Sequence, residues 1–308
     1  MLRRHDPRWA YLLVNLATLI WASNITLGRV LRNDIAPSTL GAARFTIAAV
    51  IFLALWLKSR QPLLASTPGT AKPSPRQILI NWIWPLGMGL CGVFGFTILL
   101  YLALRYTTAS HASLINAISP LVTAILAALF LKERFTMPLV AGSCLSLLGV
   151  GLVIGITLED PAQASQALWG DLLCLLAAVI WGMYSIFSRI ATRTRSSLQA
   201  TATSIWMALP LLYISAFAEW DASPPTLTLP VVLAVLYIGV FPSVVAYLAW
   251  NEGVLRVGPN QAMAFYNTLP VYGSLLGVVL LGESLSWGLL LGGGMVIAGG
   301  LIVAKSRS

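Results

Sequence analysis

Ten runs of mostly apolar residues divide this chain, each long enough to cross a bilayer as a helix, and no other feature constrains the fold as tightly. They lie at 10–30, 38–57, 79–104, 110–131, 138–156, 170–189, 198–218, 230–250, 261–281 and 286–304. A helix rises about 1.5 Å per residue, so roughly 20 apolar residues cover the ~30 Å hydrocarbon layer. Hydrophobic residues form 58% of the chain and charged residues 9%, more apolar surface than a soluble domain can hide. The expected class is all-α integral membrane. Connections are short, and the longest, Lys58 to Gln77, carries Pro62, Pro68, Pro73 and Pro75 and reads as a surface loop, leaving no room for a separate soluble domain.

The second half repeats the first. Pro120 to Glu133 reads PLVTAILAALFLKE, and Pro270 to Glu283, half a chain-length on, reads PVYGSLLGVVLLGE. Trp21 and Arg29 are likewise echoed by Trp181 and Arg189 in the same order. Each copy holds five runs, an odd number, so the second must enter the membrane from the opposite face. The expected architecture is ten transmembrane helices as two inverted five-helix repeats, 1–157 and 168–308, the layout on which alternating access rests. Arg3, Arg4 and Arg8 before the first run give it the look of a signal peptide. Because Trp21 and Arg29 belong to a repeated pair, that run is expected to stay in the fold.

Charge sets the expected orientation. With the N-terminus inside, the loops and ends on the cytoplasmic side collect fifteen of the 19 basic residues. Asp34, Glu159, Asp160, Asp171, Glu219, Asp221 and Glu283 then fall on the outer side. Both termini are therefore expected to be cytoplasmic. The net charge of +9 reflects this bias rather than a nucleic-acid surface, since the basic residues are scattered and not interleaved with aromatics.

Polar side chains inside such spans are costly and turn inward, so they mark a pathway. Arg44 is the one charge well inside a run; a substrate carboxylate, a neighbouring carbonyl, or snorkelling to the surface would each suit it. Asn15 and Asn24 suit interhelical hydrogen bonds as well as a substrate. Pro120 and Pro270 sit about ten residues into their runs, where a proline kinks a helix and frees a carbonyl; Asn116, Tyr266 and Asn267 lie one turn earlier and are the preferred substrate contacts. Trp21, Trp181, Tyr101, Tyr184, Tyr247 and Trp250 lie deep and would suit bulky, partly apolar substrates, or simply pack. His111 is a possible proton relay, but it lies near the start of its run, where the role of a helix-end polar residue is favoured. Trp9, Trp56, Trp169, Trp220 and Trp287 fall near predicted interfaces. Gly151 with Gly155, and Gly288 with Gly292, have GxxxG spacing, while Gly87, Gly89, Gly92 and Gly95 stripe the third run.

No acidic residue is placed mid-span, where cation-coupled carriers commonly keep one, so facilitated diffusion or exchange is favoured with proton coupling left open. Nucleotide-binding loops, HExxH and GxSxG are missing from the sequence. Cys91, Cys144 and Cys174 lack metal-ligand spacing, and no cofactor or metal is expected. A channel would need a continuous polar lining, and an intramembrane enzyme a cluster of nucleophiles.

The Trp21 and Trp181 segments, Arg44, the stretch from Tyr101 (YLAL) through Ala109 to Pro120 and Glu133, and its second copy from Tyr247 (YLAW) through Pro259 to Pro270 and Glu283 resemble the drug/metabolite transporter superfamily. Within it, the chain is most similar to the ten-helix EamA-type carriers. That resemblance implies an inner-membrane carrier with a central cavity between its halves, often an exporter of amino acids or related metabolites. The expected partners are a small-molecule substrate and the lipid bilayer, with monomer and homodimer both open. Large or aromatic amino acids are favoured by the deep aromatics, and other amphipathic metabolites or drugs are the alternative.

Overall fold

A computed structural model describes residues 7–59, 75–116, 118–131, 137–157, 164–192, 194–220, 224–257, 266 and 268–305. Among them all regular structure is helical. Asn267 and Glu133 lie outside the described residues.

Helices α1 (Pro7–Val30) and α2 (Pro37–Ser59) are joined by a tight turn over Leu31–Asn33. Both open on proline, whose fixed φ suits a helix start and whose missing N–H would have no partner there. The third run forms α3 (Pro75–Met88) and α4 (Phe96–Tyr106), continuous through a π-helical turn at Gly89–Gly95. Its counterpart in the second half does the same: α10 (Leu229–Val240) and α11 (Ala246–Val257) meet through a π-helical turn at Phe241–Val245. Pro242 brings no N–H to that ladder, a local reason for the wider turn.

The fourth run departs from its expected single helix. It divides into α5 (Ala109–Asn116) and α6 (Ser119–Leu131), with Ile118 N bonded to the Ile115 carbonyl at 3.1 Å in the break. Pro120 is thus the second residue of a new helix rather than a kink ten residues inside one. Pro270 is likewise second in α12 (Leu269–Leu281). The remaining helices are α7 (Met137–Thr157), α8 (Ala164–Ala191), α9 (Ser197–Trp220) and α13 (Trp287–Lys305). Six helical stretches, Trp9–Asn33, Pro37–Lys58, Asn81–Tyr106, Ser165–Ala191, Ser197–Trp220 and Leu229–Trp250, are long and apolar enough to cross a membrane. The apolar stretches described over the fifth, ninth and tenth runs, Val140–Leu152, Leu269–Leu281 and Trp287–Ile302, are shorter, and the fourth run is divided between α5 and α6.

The main packing runs between the halves. Helix α1 lies on α11 and α12, α2 on α9 and α10, α4 on α8, α5 on α12 and α8, and α7 on α13. The glycine stripe of α3 and its π-helical turn permits this close approach: a Cβ at Gly89 would stand 2.5 Å from the Ser204 carbonyl oxygen of α9. The α7–α13 contact works the same way, with Gly149 against the Gly292 carbonyl and Gly299 against that of Gly142. Gly151, one of the glycines with GxxxG spacing, faces open space.

One end of the bundle is tied together by carboxylates of the second half. Glu219 accepts from Ser38 N at 3.0 Å and Ser38 Oγ at 2.8 Å, at the start of α2. Glu283 accepts from Ala109 N at 2.8 Å, Ser110 N at 2.9 Å and Ser110 Oγ at 2.6 Å, at the start of α5. Asp171 of α8 accepts from Thr107 Oγ1 and lies 3.1 Å from His111 Nδ1. Unpaired N–H groups and the positive end of the helix dipole make a helix start a good seat for a carboxylate. Here the carboxylate comes from another helix, so the cap is also a tie.

Candidate functional site

Between the halves lies a narrow cavity, about 30 Å³ as traced by the centre of a water-sized sphere. Trp21, Asn24, Arg44, Asn116, Trp181, Tyr247 and Tyr266, each singled out from the sequence, all face it. They come from α1, α2, α5, α8 and α11, with Tyr266 just ahead of α12, so neither half builds it alone.

Arg44 is the electrostatic centre. It is 5% exposed, and its Cζ lies 4.7 Å and 5.7 Å from the ring centroids of Phe45 and Tyr101. Nε donates to Ser243 Oγ at 2.9 Å, while Nη1 donates to Tyr101 OH at 2.6 Å and Asn24 Oδ1 at 3.3 Å. Tyr101 OH in turn donates to Asn24 Oδ1 at 2.8 Å. Ser243 belongs to the π-helical turn and donates onward to the Ile238 carbonyl at 2.8 Å, a separation of five residues that such a turn provides. Every partner of Arg44 is neutral. Among the described residues no carboxylate lies within ion-pair distance of it, and its Nη2 has no hydrogen bond. A buried guanidinium is stable when neutral acceptors hold it in place, and it attracts an anion that arrives without its water.

Aromatic rings form the walls. Trp21 is the hub, 5.6 Å from Tyr247, 6.0 Å from Tyr266, 6.2 Å from Trp181 and 5.4 Å from Trp250 by ring centroids. Its indole N–H donates to the Pro242 carbonyl at 3.1 Å, so the same π-helical turn that seats Arg44 also orients Trp21. Phe96 and Tyr184 flank Trp181 at 4.8 Å and 4.7 Å. Tyr184 reaches this position because Gly92, in the α3–α4 turn, has no side chain; a Cβ there would overlap its ring.

Four of the expected site residues stand elsewhere. Tyr101, Tyr184 and Trp250 do not line the cavity but hold residues that do: Tyr101 grips Arg44, Tyr184 stacks on Trp181, and Trp250 packs on Trp21 and Tyr266. His111 is a correction of a different kind. Its ring belongs to the Asp171 tie at the bundle end rather than to the cavity. Asn15, read as an interhelical link, accepts from Tyr272 OH of α12 at 3.0 Å.

Sequence reasoning missed Ser243, and the signal was the sequence Phe-Pro-Ser interrupting an apolar run, which marks a helix irregularity. It also missed Phe45, Thr97 and Leu100, apolar or small residues whose facing direction only the packing reveals. A second, more open groove between α2 and α9, about 390 Å³ on the same measure, is lined by Ala42, Ile47, Phe217 and Trp220 among others. It is apolar and open on the flank, as a lipid-facing surface would be.

The chain matches the EamA-like transporter family twice, over residues 8–155 and 168–305. The chain belongs to that family. As an EamA-like transporter it is a multi-pass membrane protein built from two copies of one unit. A relative in Bacillus subtilis, "Uncharacterized transporter YyaM", is 30% identical over 237 residues, 77% of this chain and 74% of that protein. A "Probable terminal-alkyne amino-acid exporter" of Streptantibioticus cattleyicolor is 26% identical over 282 residues, 89% of this chain and 85% of that protein. A solved crystal structure superposes with a TM-score of 0.65 over 97% of this chain and 98% of its own, at 22% identity, which shows the fold alone.

Proposed function

We propose that this EamA-like transporter is a ten-span secondary carrier with two inverted repeats that exports amino acids, large and aromatic ones favoured, by alternating access. The observation that carries the reading is Arg44: a buried cation held by neutral partners, with Nη2 unbonded, on the wall of a cavity ringed by aromatics. Guanidinium and carboxylate match in shape and charge, and the rings of Trp21, Tyr247 and Tyr266 suit a bulky side chain. The name of the Streptantibioticus relative points the same way.

In this reading the protein sits in the cytoplasmic membrane with both termini inside, which puts the carboxylate ties on the outer face. The described conformation is then shut to the outside. Transport proceeds by rocking α1–α6 against α8–α12, breaking those ties to open outward. The chain works as a carrier, not as an enzyme, and uses exchange or facilitated diffusion.

The test is uptake of a labelled amino-acid panel into proteoliposomes, with and without a pH gradient, repeated with Tyr266→Ala and Asn116→Ala. Saturable uptake of large amino acids, indifferent to the gradient and reduced at least ~10-fold in the variants, is the expected result. Flat traces across the panel would refute the amino-acid assignment and turn the search to other amphipathic metabolites.

A further inference from the structure

The break between α5 and α6 gives the cavity a corner opposite in character to that of Arg44. Asn116 is the last residue of α5 and lines the cavity. Its Nδ2 donates to the Ala112 carbonyl at 3.1 Å, and its Oδ1 is buried with no donor among the described residues. A carbonyl neighbour accepts only the amide N–H, so chemistry fixes the amide orientation and leaves the oxygen over. Ser119 Oγ, buried in the same break, also has no partner. Pro120 has no N–H to return to the carbonyl of Asn116. The negative end of the α5 dipole points into the same break. The corner is therefore rich in acceptors, and an unpaired acceptor shut away from water favours any ligand donor that reaches it.

We infer that Asn116 and the end of α5 receive the ammonium group of a zwitterionic substrate while Arg44 receives its carboxylate, which makes Asn116 the residue that selects for the amino group. The inference rests on the amino-acid reading above. The cavity lining contains one cation and no carboxylate, so a ligand with no negative pole leaves Arg44 uncompensated. A ligand with no donor leaves Asn116 so. Trp21 and Tyr266, 6.0 Å apart by ring centroids, also line the cavity, and aromatic faces suit an ammonium group.

The experiment is counterflow of labelled tryptophan in proteoliposomes of the full chain, with tryptophan, tryptamine and indole-3-propionate as competitors. In the wild type, tryptophan should compete at a concentration at least ~10-fold below that of either one-poled analogue. Asn116→Leu should weaken tryptophan about 10-fold, leave indole-3-propionate unchanged, and unfold at no lower temperature than the wild type. Equal competition by tryptophan and indole-3-propionate in the wild type overturns the inference while leaving amino-acid transport standing. So does equal weakening of both in Asn116→Leu, which would make the residue a packing element. Sodium-dependent uptake that loses its dependence in Asn116→Leu would make the corner an ion site and overturns it too. If no labelled amino acid is carried at all, the amino-acid reading fails first and takes the inference with it.

Discussion

The tied end of the bundle and the central cavity both hold charge between the same two halves, and they treat it in opposite ways. At the tied end the charges are acidic and have donors at hand: three for Glu283, two for Glu219, and Thr107 with His111 for Asp171. In the cavity the charge is basic, its partners are all neutral, and the amide oxygen of Asn116 on the same lining has no donor among the described residues. A satisfied buried charge holds structure together, whereas an incompletely satisfied one has capacity left for a ligand. The same chemistry thus separates the parts that close the protein from the parts that read its cargo.

The contrast can be broken in order of expected effect. Arg44→Gln removes the cation and the anchor for Asn24, Tyr101 and Ser243; saturable uptake should fall about 100-fold or more, read in proteoliposomes. Glu283→Ala strips three hydrogen bonds from the start of α5 and should cost about 2–3 kcal/mol of stability, read by thermal unfolding in detergent, with Glu283→Gln losing less because an amide oxygen still accepts. Gly92→Ala drives a methyl group into Tyr184 and should cost about 1–3 kcal/mol, while shifting Trp181 and raising the KM for uptake. His111→Gln gives the smallest change, below about 2-fold in KM, because the ring serves the Asp171 tie and not the cavity. A large KM effect there, or none in Arg44→Gln, would dissolve the distinction between the two regions.

Much of this was legible in the sequence because membrane insertion writes itself in long apolar runs. Six of those runs appear as helices long and apolar enough to span, and the repeated prolines and tryptophans occupy matching places in the two halves. The α5–α6 break was not legible as a break, since residues 110–131 stay apolar across it and the hydropathy pattern does not register where hydrogen bonding resets. The cavity residues were found where burial of a polar or aromatic group was itself anomalous: Arg44, Asn116, Trp21 and Tyr247. Of the supports of Arg44, Asn24 and Tyr101 stood out in the same way, but Ser243 did not, because it lies 199 positions away and meets Arg44 only through packing. A histidine near a helix start suits both a relay and a structural bond, and the structural role favoured from its position accords with its place 3.1 Å from Asp171, 60 residues on.

Anomalous diffraction from crystals grown with 5-bromotryptophan tests the central claim most directly. The account predicts a bromine peak among Trp21, Tyr247 and Tyr266, with ligand density reaching Arg44. A peak confined to the flank groove between α2 and α9, with the cavity empty, would contradict it.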